Sequence, residues 1–460
     1  MQRNVDVDEG SATTSSSDLA RARDDYYLEH PAVSAMTEAQ AETIREVLSI
    51  KVYGSSGSSI PNPVGDFVQA SLPQYIIDTL TAASFSAPTA IQRQSWPIAI
   101  SGRDMVGLAE TGSGKTLAFL LPALVHINAR PIPKPGDGPF ALVLAPTREL
   151  AEQIYEESVR FGHPCGVRSA CIVGGLPKGP QVQQLRKAPE MVIATPGRLA
   201  DLLAAKRSDL ASCTYLVLDE ADRMLNLGFE PQIRALIGQM RRERQTLLFS
   251  ATWPADVQAL ARRHMRADAI TVEVGGALAS GGRANANIEQ RVTVVEDETA
   301  KLPTLMRLLE ETMEDNVRLL VFCSSKRRCE EVTRALRLDG WPALAIHGDK
   351  AQEERDWALH EFKHGSCPLL VATDVAQRGL DIKDVRMVIN YDCPASGEAY
   401  VHRIGRTGRA GSSGSSHILL TAEDARVAPE LVKVLRGASH PVPEELERLA
   451  AVAPPARQRQ

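Results

Sequence analysis

Short apolar runs alternate with amphipathic segments along most of the chain. Eight runs rich in valine, isoleucine and leucine occur at residues 141–144, 191–193, 215–218, 246–249, 318–322, 369–371, 387–389 and 417–420. Helical patterns of ten or more residues separate many of these runs. This alternation is typical of parallel sheets built from strand-helix-strand units. The pattern therefore predicts an α/β fold with two doubly wound sheets, one in each half of the chain.

Segments rich in serine and glycine suggest where the chain divides. Residues 11–17 and 54–59 have linker composition, and residues 275–282 form a third such stretch between the two groups of strands. The expected order is a poorly ordered extension, a first domain, a flexible linker, a second domain and a short flexible tail, at residues 1–60, 61–274, 275–286, 287–440 and 441–460.

Composition narrows the class of protein. Hydrophobic residues make up 43% and charged residues 24% of the chain, which are ordinary values for a soluble domain protein. No run of eighteen apolar residues occurs, so we expect no membrane span. The acidic amino terminus lacks an apolar segment, which argues against secretion. Seven scattered cysteines lack CxxC spacing, so free thiols in a reducing compartment are favoured over disulfides or zinc.

The formal net charge is -5, so the protein as a whole is not a polybasic nucleic-acid binder. Any nucleic-acid site must be a local basic surface.

Polar clusters follow directly after several apolar runs. These clusters are residues 146–151, 195–198, 219–222 and 250–252 in the first half, and residues 373–374 and 391–392 in the second. Ligands of open parallel sheets gather at the carboxyl ends of the strands. We therefore expect the clusters to face a common cleft.

A glycine-rich segment at residues 109–116 has the composition of a phosphate-binding loop. Gly112 and Gly114 allow backbone amides to surround phosphates, and Lys115 adds a positive charge. The general pattern GxxxxGK[ST] requires glycine where this chain has Ala109, so the loop needs support from elsewhere. That support comes from residues 219–222, whose two leading carboxylates suit a hydrated magnesium ion and an attacking water. Together the two segments predict a nucleoside triphosphatase.

Two further segments fit a nucleotide cleft. The amide of Gln92 can both donate and accept, as the N6 and N7 edge of adenine requires, although a lone glutamine after a turn is usually structural. Residues 402–409 carry four cationic or ionisable side chains interleaved with glycines, which can meet a triphosphate across a cleft. A basic surface turn is the alternative explanation of this second segment.

The complete set of segments resembles the motif series of DEAD-box RNA helicases over roughly residues 60–435. In order and spacing, the matching positions are Phe67, residues 84–92, 109–116, 146–151, 174–175, 195–198, 219–222, 250–252, 372–381 and 402–409. The resemblance implies two tandem RecA-like domains, ATP and Mg²⁺ as ligands, and RNA as the partner. Residues 250–254 are similar to the eukaryotic nuclear branch engaged in ribosome assembly and messenger-RNA handling, which implies a nuclear or nucleolar location.

The resemblance also implies roles in the nucleotide cleft. Asp219 would hold magnesium with Thr116, and Glu220 would activate the attacking water. Ser250 and Thr252 would couple the cleft to RNA by hydrogen bonds to the acidic turn. The implied adenine and phosphate contacts are Phe67, Gln92, Ala109, Glu110, Thr111, Gly112, Ser113, Gly114, Lys115 and Thr116. From the second domain, the implied ribose, water and arginine-finger residues are Asp381, His402, Arg406 and Arg409.

A separate RNA face is implied along the sugar-phosphate backbone. Contacts of this kind do not read sequence and depend strongly on salt. The implied residues are Pro146, Thr147, Arg148, Gly175, Thr195, Gly197, Arg198, Gln352, Arg355, Thr373, Asp374 and Arg378. We expect a monomeric core, and the residues do not identify protein partners.

Three positions depart from the family pattern, namely Ser84, Glu110 and Gln377. Glu110 places a negative charge beside the phosphate loop, which would weaken nucleotide binding if it points inward. None of the three departures removes a catalytic group.

Three functional hypotheses follow. The favoured one is an RNA-dependent ATPase that unwinds short duplexes or remodels RNA-protein complexes. An ATP-gated RNA clamp with little turnover is the second, disfavoured because Lys115, Glu220, Arg406 and Arg409 are all present. A DNA helicase on the same two-domain fold is the third, disfavoured by the adenine and Ser-Ala-Thr segments.

Overall fold

A computed structural model of the protein describes most of the chain. The described residues are 25–54, 59–110, 112–134, 137–205, 209–275, 288–313, 317–365, 367–374, 385–408, 413–438 and 440–453.

The first lobe is built on an eight-stranded sheet. Its strands, in chain order, are β1 (Ile50–Tyr53), β2 (Met105–Leu108), β3 (Ala141–Leu144), β4 (Ser169–Ile172), β5 (Met191–Ala194), β6 (Tyr215–Leu218), β7 (Gln245–Ser250) and β8 (Ile270–Val274). The strand order is β1-β8-β2-β7-β6-β3-β5-β4, and every pair is parallel except β1 with β8.

Helices cover both faces of this sheet, as the all-buried central strands require. They are α1 (Pro31–Ser34), α2 (Glu38–Val47), α3 (Gln74–Ala82), α4 (Ala90–Ile100), α5 (Lys115–Asn128), α6 (Arg148–Gly162), α7 (Lys178–Arg186), α8 (Pro196–Ala204), α9 (Ala221–Asn226), α10 (Glu230–Ile237) and α11 (Ala255–His264). Alternate residues of one strand enter opposite cores. Val217 of β6 packs with Phe119 and Phe249, whereas Leu216 packs with Leu202 and Leu236.

The second lobe has a six-stranded, all-parallel sheet in the order β11-β12-β10-β13-β14-β9. Its strands are β9 (Ile288–Val294), β10 (Arg318–Cys323), β11 (Ala343–Ile346), β12 (Leu369–Thr373), β13 (Val385–Asn390) and β14 (Gly414–Leu420). Its helices are α12 (Glu298–Thr312), α13 (Lys326–Leu338), α14 (Gln352–His364), α15 (Gly397–Ile404), α16 (Ala428–Gly437) and α17 (Glu444–Ala451).

Each of the eight apolar runs forms a strand, and the prediction of two α/β lobes is confirmed. Six strands were not predicted, namely β1, β2, β4, β8, β9 and β11. Of the predicted linker, only Gly275 lies among the described residues.

The expectation of a poorly ordered extension over residues 1–60 is wrong for residues 25–54. This segment forms α1, α2 and β1, and β1 pairs antiparallel with β8, with Ile50 opposite Val274. Thr37 begins α2 with a capping box closed by Gln40. The nearby Gly-Ser composition of residues 54–59 suggested a boundary, but it follows an element that belongs to the first lobe.

The expected flexible tail also contains structure. Within residues 441–460, α17 places Leu446 and Leu449 in one apolar cluster with Leu431 and Leu435 of α16. The two leucines are three residues apart and so lie on one face of the helix. The second lobe therefore extends to at least Ala451.

Among the described residues, no helix is long and apolar enough to cross a membrane.

Candidate functional site

The glycine-rich loop connects the end of β2 to the start of α5. Gly112 and Gly114 have φ angles of +83° and +94°, a region that favours glycine. A Cβ atom on Gly114 would lie 2.7 Å from Gln92 Nε2, so the loop packs closely on α4. Gln92 Nε2 donates to the Gly114 carbonyl at 3.0 Å, and Lys115 Nζ donates to the Ala109 carbonyl at 2.8 Å. Gln92 and Lys115 thus both contact the backbone of the loop.

The side chain of Phe67 is almost fully buried. Its side chain is 9% exposed and packs on Trp96 with ring centroids 6.1 Å apart. Trp96 Nε1 in turn donates to the Leu117 carbonyl in the first turns of α5, at 3.1 Å. The predicted adenine contact is therefore joined to the phosphate loop through the helix that follows the loop.

Glu110 is partly buried at the start of the loop. Burial raises the pKa of Glu110, and nearby Lys115 opposes the shift. Ser113 Oγ donates to the Glu110 backbone carbonyl at 2.8 Å. Thr116 follows Lys115 in α5 and is also partly buried. A negative charge at Glu110 therefore lies within the electrostatic range of the loop lysine.

The acidic turn follows β6 directly. Glu220 has a φ of +50°, an unusual conformation for a residue with a Cβ atom. Burial raises the pKa of Asp219 to about 7, although Lys115 opposes this shift. The two adjacent carboxylates therefore experience different environments.

A buried arginine holds the second carboxylate. Burial alone would raise the pKa of Glu220, but Arg223, Arg406, Lys115 and His402 together hold the pKa at about 2. Arg223 Nη1 lies 2.6 Å from Glu220 Oε2, and both side chains are almost fully buried. Glu220 is consequently a fixed anion at neutral pH.

Asp222 ties the acidic turn to the end of β7. Its carboxylate accepts from the Thr252 backbone N–H at 2.9 Å and from Thr252 Oγ1 at 2.7 Å. The Asp222 N–H also donates to Ser250 Oγ at 3.4 Å. The predicted hydrogen bonds between the acidic turn and Ser250 and Thr252 are present.

Groups from the second lobe reach the same carboxylates. His402 Nε2 lies 3.9 Å from Asp222 Oδ2, and burial lowers the pKa of His402 while Asp222 opposes the shift. Arg406, two residues beyond the end of α15, is buried and lies close enough to lower the pKa of Glu220. The structure thus brings His402 and Arg406 to Glu220 and Asp222 across the boundary between the lobes.

The predicted RNA-face residues of the first lobe gather at the starts of two helices and in one turn. Pro146 and Thr147 precede α6, and Thr147 Oγ1 accepts from the Leu150 N–H at 3.3 Å. Thr195, Gly197 and Arg198 occupy the start of α8, while Gly175 has a φ of +80° in the turn before α7.

Two of the predicted RNA-binding arginines make ion pairs between the lobes. Arg355 Nη2 lies 2.5 Å from Glu149 Oε1, with the two side chains 16% and 10% exposed. Arg148 Nη2 lies 3.6 Å from Asp356 Oδ2. Gln352 accepts from Arg355 Nη1 at 3.0 Å at the start of α14. The two lobes therefore meet through charges beside the expected RNA path.

Asp374 is paired inside the second lobe. It accepts two hydrogen bonds from Arg403, at 2.6 and 2.8 Å, while Thr373 is buried at the end of β12. Four predicted site residues lie outside the described part of the chain, namely Thr111, Arg378, Asp381 and Arg409.

Sequence reasoning missed the side chains that hold the named site residues in place. Arg223 follows Glu220 by three residues, a helical spacing that could have suggested the ion pair. Arg403 lies within the predicted basic segment but was given no role. Glu149 gave no comparable signal, because its partner Arg355 is 206 residues away.

A phosphate loop and an acidic turn on one α/β lobe, faced by a histidine and an arginine from a second lobe, place this protein among two-lobed nucleoside triphosphatases. Residues 89–260 match the family described as DEAD/DEAH box helicase, and residues 300–411 match the helicase conserved C-terminal domain.

Similar proteins agree with this class. DEAD-box ATP-dependent RNA helicase 20 of Oryza sativa subsp. japonica is 51% identical over 449 residues, which are 98% of this chain and 89% of that protein. ATP-dependent RNA helicase DBP2 of Gibberella zeae is 50% identical over 429 residues, covering 93% and 76% of the two chains. The structure of S. cerevisiae Dbp5 bound to RNA and ADP BeF3 superposes with a TM-score of 0.72 at 28% identity, covering 85% of this chain and 100% of that one. The chain belongs to the DEAD-box ATP-dependent RNA helicase family.

Proposed function

We propose that RNA binding and closure of the two lobes trigger ATP hydrolysis, and that closure separates short duplexes or displaces proteins from RNA. The observation that carries this proposal is the meeting of both lobes around one acidic turn. His402 lies 3.9 Å from Asp222, and Arg406 acts electrostatically on Glu220. A site assembled from two lobes is complete only when they are together, so its activity depends on closure.

Glu220 is the proposed general base. Its carboxylate stays ionised and is held by Arg223, so it can accept a hydrogen bond from the attacking water and orient it. Because its pKa is low, Glu220 takes the proton only as bond formation to phosphorus makes the water acidic. Arg406 and Arg409 are the proposed arginine fingers, a role worth on the order of a thousandfold or more in phosphoryl transfer. His402 helps to place the water.

The residues at the loop also fit a magnesium ion. Asp219 is a buried carboxylate whose pKa burial raises to about 7, so a nearby cation would stabilise its charged form. A carboxylate and the hydroxyl of Thr116 are oxygen donors of the kind that Mg²⁺ accepts, often through water. When bound, the ion neutralises charge on the phosphates. Lys115 supplies a further positive charge on the phosphate side.

The remaining proposals concern RNA and the cell. The starts of α6, α8 and α14 contact the RNA backbone without reading its sequence, and the core acts as a monomer. The similarity of residues 250–254 to the nuclear branch supports work on ribosomal or messenger RNA in the nucleus or nucleolus. Imaging of a fluorescent fusion, and sedimentation of the pure protein, test the location and the monomeric state.

Steady-state phosphate release tests the central proposal. The wild type and Glu220→Gln are compared without nucleic acid, with single-stranded RNA and with DNA of the same sequence. The exposed Glu243→Gln serves as a matched control on the same lobe. We expect RNA-specific stimulation in the wild type and the control, and its loss in Glu220→Gln. RNA binding with ATP but no release above the Glu220→Gln rate would favour the clamp, and equal stimulation by DNA would favour a DNA helicase.

A further inference from the structure

A groove runs between α7 and α8 on the first lobe, outside the nucleotide cleft. Its volume is about 440 Å³, and Val182, Leu202 and Ala205 line its apolar part. Lys178 and Arg186 are exposed and lie toward opposite ends of α7. The groove therefore combines an apolar surface with two separated positive charges, at a size typical of small-ligand sites.

The groove is continuous with the proposed RNA face. Arg198 Nη1, at the start of α8, donates to the Leu176 carbonyl at 2.8 Å, just before α7 begins. Gly175 precedes that carbonyl and adopts its left-handed turn beside it. One wall of the groove begins at Lys178, three residues after Gly175, and the other begins at Asp201, three residues after Arg198. Gly175 and Arg198 therefore lie close in sequence to the two walls of the groove.

The positive charges at the groove are accessible to a phosphate. Lys178 Nζ lies 3.4 Å from Asp201 Oδ2, but both side chains are 60% exposed. An ion pair so open to water contributes little and is readily exchanged for another anion. Arg186 adds a second cation, whereas Asp201 is the one carboxylate among the described residues that line the groove. Positive charges outnumber negative ones at the groove, which therefore favours an anionic ligand.

We propose that the groove between α7 and α8 holds a nucleotide of the bound RNA, beyond the contacts made by Gly175 and Arg198. The base lies against Val182, Leu202 and Ala205, while Lys178 and Arg186 contact flanking phosphates. This inference rests on the proposed RNA-binding function. It extends the footprint on RNA without adding strong sequence preference, because aliphatic side chains contact the faces of all bases alike.

Binding of RNA of increasing length to the full chain tests the groove. Fluorescence anisotropy with a non-hydrolysable ATP analogue compares the wild type, Lys178→Ala/Arg186→Ala, and the control Arg242→Ala/Arg262→Ala. The control removes two exposed arginines of the first lobe that do not line the groove. We expect wild type and control to gain affinity with length, and the groove variant to lose roughly tenfold on long RNA only. Its salt slope on long RNA should fall by about 1.4, since each phosphate contact contributes roughly 0.7.

Photocrosslinking provides the second measurement. RNA carrying 4-thiouridine at single positions should crosslink to α7 or α8 at one position beyond the shortest binding length. Equal binding by the groove variant and wild type at every length, with no crosslink to either helix, overturns the groove but leaves the proposed function intact. Failure of the wild type to bind RNA of any length overturns both. An unchanged RNA-stimulated ATPase on saturating short RNA shows that the variant remains folded.

Discussion

The ion pair between Glu149 and Arg355 raises the question of whether Arg355 contacts RNA or holds the two lobes together. Sequence motifs assign Arg355 to the RNA face, whereas the structure places its guanidinium 2.5 Å from a carboxylate of the other lobe. We consider Glu149→Gln, Arg355→Gln and the double variant. If the arginine acts through the ion pair, either single change weakens closure, and the second change then costs little more.

The expected size of the effect follows from burial. Exposed ion pairs contribute roughly 0.2–1 kcal/mol, whereas close charge pairs at interfaces couple by about 1.5–7 kcal/mol. The side chains of Glu149 and Arg355 are 10% and 16% exposed, so this pair belongs near the lower end of the interface range. We take a coupling energy of about 2 kcal/mol, which corresponds to a factor of roughly 30 in the closure equilibrium.

RNA affinity in the presence of a non-hydrolysable ATP analogue reports closure, because only the closed form joins both lobes to the strand. We expect each single variant to bind RNA roughly 30-fold more weakly than the wild type, and the double variant to bind about as well as the singles. A coupling energy below about 0.5 kcal/mol, with the full effect of Arg355→Gln retained in the Glu149→Gln background, would refute the reasoning. Arg355 would then contact RNA directly.

Three further changes test other parts of the structure. Arg223→Ala should lower kcat at least tenfold with little change in KM for ATP, because the Arg223 cation positions Glu220. Arg223→Lys should recover part of the lost kcat, and a rise in KM as large as the fall in kcat would contradict this role. Gly114→Ala should abolish binding of a fluorescent ATP analogue, since its Cβ would lie 2.7 Å from Gln92 Nε2 at a φ of +94°, and retained affinity would be inconsistent with the loop geometry. Burial lowers the pKa of His126 to about 3 in the folded state, below its ordinary value of 6.5, so the stability that depends on neutral His126 is full above pH 6.5 and declines as the pH falls. Chemical denaturation should show about 2 kcal/mol less stability from this group at about pH 5 than at about pH 7.5, and a His126→Gln protein with the same pH dependence would contradict the assignment.

The strands predicted from the sequence are those that contain two or more adjacent valine, isoleucine or leucine residues, which β11, Ala-Leu-Ala-Ile, lacks. Burial on both faces of a parallel sheet makes β3 and β6 continuous in leucine and valine, so their positions are evident. β2 is equally buried, but it contains Gly107, where a Cβ would lie 2.4 Å from the Phe249 ring. The glycine is required by a side chain on a neighbouring strand and interrupts the run. β1, with the sequence Ile-Lys-Val-Tyr, is an edge strand and has no such run.

The chemistry of the site was likewise predictable where it depends on local sequence. The glycine-rich loop and the acidic turn are continuous segments, and their residue types restrict what they can bind. The choice of partner among charged side chains depends on the tertiary structure. Arg403 binds Asp374 within one lobe, whereas Arg355 binds Glu149 across two, and no spacing along the chain distinguishes these cases.

The antiparallel pairing of β1 with β8 has a practical consequence for aggregation. An uncovered strand edge offers unpaired N–H and C=O groups to other chains, and natural proteins protect such edges with short strands and lysine. β1 covers β8 and leaves Lys51 exposed at the new edge, opposite Glu273. A recombinant fragment beginning at residue 89, where the family match begins, would lack this cover and present the edge of β8 to its neighbours. Fragments intended for crystallisation or assays should therefore start before α2.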